Sequence, residues 1–156
     1  MANHETYEIN ESLPMEIVLK EESYAVMGAC FEVYKEKGPG FVEPIYHECL
    51  EIEFGSRSLP AVSKPRLEIA YKGVKLKHGP EPDFVCFGKM ILEIKAVKAL
   101  CDEHRAQLLS YLKATGFELG VLVNFCGQEE LEWERIVRTD DPQKYSPISE
   151  APQLQS

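Results

Sequence analysis

Apolar and polar residues recur along this chain with two different periods, and the changes of period divide it into elements. From about Glu21 to Lys37, Val26, Ala29, Cys30 and Val33 return at helical spacing, with Ser23 a candidate cap and Gly38-Pro39-Gly40 the stop. A second helix is expected from Val42 or Glu43 to about Phe54. Pro44 falls in its first turn, where a missing N–H costs nothing, and Gly55 closes it. The period then drops to two. Residues 67–71 alternate, Lys72-Gly73 makes a tight turn, and 74–77 return. After the loop 79–82 come 83–87 and 90–97. The second of these is apolar apart from Glu93 and Lys95, which predicts a central strand buried on both faces. Asp102 or a neighbour caps a third helix, 103–115, ended by Gly116. Residues 119–125 predict another buried strand, and 131–137 alternate as an edge or half-exposed strand does. The order is ααββββαββ, a mixed α/β (α+β) architecture with helices packed against a mixed sheet.

A chain of 156 residues suits one domain able to bury a core without disulfides. The expected division is an acidic arm at 1–20, the domain at 21–138, and a polar, Pro/Ser-rich tail at 139–156. No apolar run approaches the roughly 20 residues of a membrane span, and the acidic N-terminus lacks a signal peptide's pattern, so a cytoplasmic protein is expected. Five scattered cysteines without a C-x-x-C pair, and four dispersed histidines, speak against a zinc site, a disulfide frame or a Cys–His nucleophile.

The net charge of −9 argues at first against a nucleic-acid partner, but its distribution weakens that objection. Residues 1–23 hold six acids against one lysine, and 139–156 three against one, which leaves −2 for 24–138. Within that core Lys64, Arg66, Lys72, Lys75 and Lys77 are grouped on one stretch. They read equally as a phosphate-binding face or as a solvated strand edge protected by lysines.

Glu93 and Lys95 sit two apart on a strand that should exclude charge, so both point to one face. A structural ion pair is one explanation. The other is a metal ligand beside a cation that handles developing negative charge. Asp83, on the preceding strand, shifts the balance, subject to a condition of register. A two-residue loop at Gly88-Lys89 pairs Phe87 with Met90 and turns Asp83 away from Glu93; a loop of odd length, or a bulge, puts both on one face. Two opposed carboxylates repel unless a divalent cation lies between them. Oxygen ligands suit Mg²⁺ or Mn²⁺, which polarises a phosphoryl oxygen and activates water, with Lys95 stabilising the charge that builds.

These residues carry a family likeness. The chain resembles the GxxExxY proteins, a bacterial and archaeal group within the PD-(D/E)xK nuclease superfamily, over roughly residues 20–137. The naming motif stands as Gly40-Phe41-Val42-Glu43-Pro44-Ile45-Tyr46, the superfamily signature as Pro82-Asp83 and Glu93-Ile94-Lys95, and a Q-x-x-x-Y motif as Gln107 to Tyr111. The resemblance implies a restriction-endonuclease-like core. It makes Asp83 and Glu93 metal ligands, Lys95 the catalytic lysine and Glu43 the helical acid of the site, with Gln107 and Tyr111 supporting it from one helix face. Tyr46 is either part of that site or core packing. Glu81 stands where relatives often carry a basic residue.

The expected function is therefore a Mg²⁺-dependent nuclease acting on nucleic acid, DNA first, by a metal-activated water, with a homodimer as a natural way for so small a domain to contact a duplex. The alternatives are a non-catalytic binding or regulatory module on the same fold and, more remotely, a hydrolase of small phosphoesters.

Overall fold

The computed structural model describes residues 17–128 and 130–138. The expected tail and all but the last four residues of the expected arm lie outside them. Ten elements run in the order α1 (Lys20–Lys37), α2 (Glu43–Ser56), β1 (Ala61–Ser63), β2 (Ala70–Tyr71), β3 (Val74–Lys75), β4 (Phe84–Cys86), β5 (Met90–Lys95), α3 (Asp102–Thr115), β6 (Leu119–Asn124) and β7 (Glu132–Val137). Among the described residues no helix is long and apolar enough to cross a membrane.

Five strands form one mixed sheet in the order β1-β4-β5-β6-β7, with β5 and β6 parallel and the other neighbours antiparallel. The α1 and α2 stripes (Val26, Met27, Cys30, Tyr46, Leu50, Phe54) pack on one face, against Phe84, Leu92, Ile94, Val121 and Trp133. On the other face Leu108 and Leu112 of α3 meet Val85, Ile91, Leu122 and Ile136. The parallel β5–β6 pair needs a crossover, and α3 supplies it. Gly120 on β6 lets that helix come close, since a Cβ there stands 2.8 Å from the Leu108 side chain.

The expected mixed sheet with flanking helices is present, with differences of detail. One more strand occurs than the periodicity predicts: β1 is only three residues long, too short to show a period, and it forms the sheet edge beside β4. β2 and β3 leave the sheet and make a separate hairpin, turning at Lys72-Gly73, where both residues have positive φ. β7 is the other edge strand but is buried, not half-exposed. Its Glu134 is covered by Arg105 of α3, and its Arg135 donates to the Val18 carbonyl. Ser23 lies inside α1, which starts at Lys20, and donates to the Lys20 carbonyl. The α3 cap is Cys101, whose N–H is taken by the His104 ring.

Candidate active site

The register of the β4–β5 hairpin decides whether a site can exist. Cys86 pairs with Met90, Val85 with Ile91 and Phe84 with Leu92, so the loop has three residues, 87–89. Phe87 and Gly88 both take positive φ to close it. Continuing the ladder by one step sets Asp83 opposite Glu93. Their side chains and backbones interlock: the Asp83 N–H donates to Glu93 Oε1 at 2.8 Å, and the Ile94 N–H donates to Asp83 Oδ2 at 2.9 Å. The alternation that puts Ile91 on the α3 face puts Glu93 and Lys95 there too.

The electrostatics show what else has been gathered. Glu93 is only 6% exposed, and its carboxyl is pushed up to about 8, by burial first and then by the charge of Asp83, with Lys95 pulling the other way. Glu43, half-buried at the first position of α2, is likewise raised by burial and by Asp83, and lowered by Lys95, His47 and Lys64. Burial, Glu93, Asp83 and Glu81 together raise the Tyr111 hydroxyl. Asp83, Glu93, Glu43, Lys95 and Tyr111 thus lie in one shared field. Gln107 lies on α3 one turn before Tyr111, with its side chain exposed.

Two contributors were not legible as site residues. His47, one turn after Glu43, is 6% exposed and stacks on Phe84 at 4.3 Å. Its Nδ1 lies 3.2 Å from Asp83 Oδ1, and its Nε2 lies 2.7 Å from the Ser63 hydroxyl. A carboxylate only accepts, so Nδ1 carries a proton toward Asp83, while Nε2 and the Ser63 hydroxyl share the second hydrogen bond. His47 therefore fixes one Asp83 oxygen while Ile94 fixes the other. Its signal in the sequence is the i, i+4 spacing from Glu43, which shares a helix face. Asn124, facing Lys95 across the parallel ladder, is the second. Its amide accepts from the N–H of Val97 and donates to the carbonyl of Val97, and it also donates to Glu132, clamping the chain just beyond Lys95.

Tyr46 proves to be packing. Its ring stacks on Phe125 at 4.5 Å, and its hydroxyl donates to the Gly38 carbonyl at 2.6 Å and accepts from the Phe41 N–H at 3.2 Å. Burial pushes that hydroxyl up to about 12, so it stays a donor. The Gly40 N–H reaches Cys126 Sγ at 3.3 Å. The Gly40-to-Tyr46 motif is thus a local brace: Gly40, at φ 111°, makes the bend, Tyr46 pins the loop, and Glu43 is delivered to the site.

A divalent cation is tested by these donors. Among the described residues no three His, Cys, Asp or Glu side chains form a ready ligand cage. The donor chemistry nonetheless fits a hard ion. Three carboxyl groups share one field, two of them raised by burial first and then by the charge of Asp83, and Mg²⁺ is commonly held by one or two carboxylates with the rest of its shell left to water and phosphate.

The model of the PD-(D/E)XK nuclease superfamily matches residues 20–136, and the chain belongs to that superfamily. Among solved structures, the crystal structure of SSO0001 is similar, with 21% sequence identity, a TM-score of 0.49, and coverage of 80% of this chain and 59% of that one. The chain thus spans under two thirds of that structure's length. No curated protein is significantly similar in sequence.

Proposed function

We propose that this protein is a Mg²⁺- or Mn²⁺-dependent nuclease of the GxxExxY branch, hydrolysing phosphodiester bonds of nucleic acid, DNA in the first place. The observation that carries the reading is the three-residue loop at 87–89, because it alone sets Asp83 against Glu93. Asp83 and Glu93 hold the ion, with Glu43 beside them. The chemistry the ion supplies is neutralisation of these carboxylates and polarisation of a phosphoryl oxygen. The remaining steps belong to the chain. Lys95, on the same face as Glu93, stabilises the negative charge that grows on the phosphate as its bond breaks. Tyr111 offers its hydroxyl to the phosphate from α3. His47 holds Asp83 so that its carboxylate keeps one orientation through the cycle.

Lys95→Ala removes the cation that meets this charge while leaving both carboxylates in place. Cleavage is expected to fall by at least two orders of magnitude with the circular dichroism spectrum unchanged; retained cleavage contradicts the role. We place the protein in the cytoplasm, where its five free thiols persist. We also propose that two copies act on a duplex, which sedimentation with and without duplex DNA tests.

One observation favours a second reading, a non-catalytic binding module. Asp83 and Glu93 already accept backbone N–H groups, and Glu93 is neutral below about pH 8, so the fold satisfies these groups by itself. Calorimetry showing no Mn²⁺ uptake at pH 8.5 supports that reading over the first.

A further inference from the structure

The β2–β3 hairpin is outside the main sheet, and its composition departs from the rest of the chain. Residues 64–79 hold five basic side chains against one acid, in a protein of net charge −9. The hairpin's two faces differ. Tyr71 pairs with Val74, and the Leu76 N–H reaches the Ile69 carbonyl, so these four apolar side chains share one face. Tyr71 is 62% exposed and Val74 66%, so the face contributes little to the core. The other face carries Ala70, Glu68, Lys75 and Lys77. Beside it runs a groove of about 380 Å³ lined by Arg66, Lys75, Lys77 and His78, with Glu68 the one acid. The Lys75–Glu68 ion pair is exposed on both sides and so holds Lys75 only weakly.

The hairpin's position gives this surface a use. Its neck is closed by the Leu67 N–H donating to the Pro80 carbonyl, and by Gly79, where a Cβ meets the Leu67 carbonyl oxygen at 1.9 Å. Below the neck, the Lys64 N–H donates to the Asp83 carbonyl, and the Lys64 charge reaches Glu43. A basic track therefore leads from the hairpin to the carboxylate site. At the tip, the Lys72 ammonium lies 5.4 Å from the Tyr71 ring centroid, joining a cation to an exposed aromatic plane.

We propose that this hairpin grips single-stranded nucleic acid, with Arg66, Lys75 and Lys77 taking phosphates and Tyr71 stacking a base. The inference rests on the reading that the substrate is a polynucleotide. Because Tyr71 and the lysines lie on opposite faces, the strand crosses the hairpin's edge, its phosphates on the basic face and one base on the aromatic face; such pairing of charge with an aromatic platform holds single strands without regard to sequence. In a duplex the bases are already stacked, so Tyr71 has nothing to receive.

The test is fluorescence anisotropy of a labelled 20-nucleotide oligo-dT and of a labelled duplex with the full chain in EDTA, so that nothing is cleaved. The triple variant Arg66→Ala/Lys75→Ala/Lys77→Ala is expected to bind the single strand at least tenfold more weakly, with a log–log salt slope smaller by about two. Tyr71→Ala is expected to weaken the single strand at least fivefold and leave the duplex unchanged. A control triple, Lys35→Ala/Lys37→Ala/Lys113→Ala, should stay within twofold of wild type. Wild-type affinity in either hairpin variant, or an equal loss in the control, overturns the grip. So does a wild-type dimer that Tyr71→Ala dissolves without any oligonucleotide binding, since the face then belongs to a second copy. Mn²⁺-dependent hydrolysis of bis(4-nitrophenyl) phosphate by the wild-type chain reports on the carboxylate site alone. If it occurs while the hairpin variants bind normally, only the grip fails; if neither diester hydrolysis nor oligonucleotide binding occurs, the nuclease reading fails with it.

Discussion

Glu93 costs the metal-free fold stability, and the sign can be worked out. Its carboxyl is raised to about 8 in the folded chain, against an ordinary 4.5, by burial and by Asp83. At pH 4 both folded and unfolded forms are protonated and no penalty arises. As pH rises from about 4.5 to 8 the unfolded chain ionises first, so folding loses stability across that window and levels off above it. Glu93→Gln removes the titration and keeps the size. In EDTA its melting temperature should therefore rise relative to wild type as pH goes from 5 to 9, and Mn²⁺ should narrow the gap by stabilising wild type alone. A gap that does not change with pH contradicts the burial argument. At His47 the expected effect is on binding rather than folding. His47→Ala frees one Asp83 oxygen, and Mn²⁺ affinity by calorimetry should fall about tenfold, as for other groups that orient a metal ligand, while His47→Asn recovers part of it. Unchanged affinity shows that Ile94 alone is enough to hold Asp83.

Among the elements, the site hangs on one hairpin and one crossover. The parity of the β4–β5 loop was legible as a condition but not as an outcome. Gly88-Lys89 suits a two-residue turn, and the observed loop instead needs Phe87 at φ 57°, an uncommon conformation for a bulky side chain. β1 escaped notice because three residues carry no period, and the burial of β7 did so because its cover comes from Val18 and Arg105, far off in sequence. His47 was hidden for the same reason, with partners at Ser63 and Asp83. By contrast the E-x-K pair and the order of the long elements were plain, since each is a local pattern, whereas the bracing role of Gly40 and Tyr46 was not, since their partners Phe125 and Cys126 are far off in sequence. The crossover gives a direct check. Gly120→Ala places a methyl 2.8–2.9 Å from three carbons of the buried Leu108 side chain and should cost about 1–3 kcal/mol in urea unfolding, because α3 must shift or Leu108 must leave its rotamer. A loss below ~0.5 kcal/mol shows that the α3–β6 contact is looser than it stands here.

At the scale of the molecule, charge is divided by place. Most of the net negative charge falls in residues 1–23 and 139–156, while base gathers on the 64–77 stretch that leads into the site. Such a layout suits a small domain that must draw in a polyanion without offering it a wholly basic surface. The superfamily match fixes the class of protein, and the proposed cation rests on carboxyl groups that burial and the charge of Asp83 raise together. The measurement that tests this most directly is incubation of the purified chain with Mg²⁺ or Mn²⁺ and single-stranded, duplex and branched DNA and RNA. The expected result is metal-dependent cleavage of at least one of these, abolished by EDTA, by Asp83→Asn and by Lys95→Ala. Intact substrates throughout, or cleavage that survives both substitutions, contradict the account.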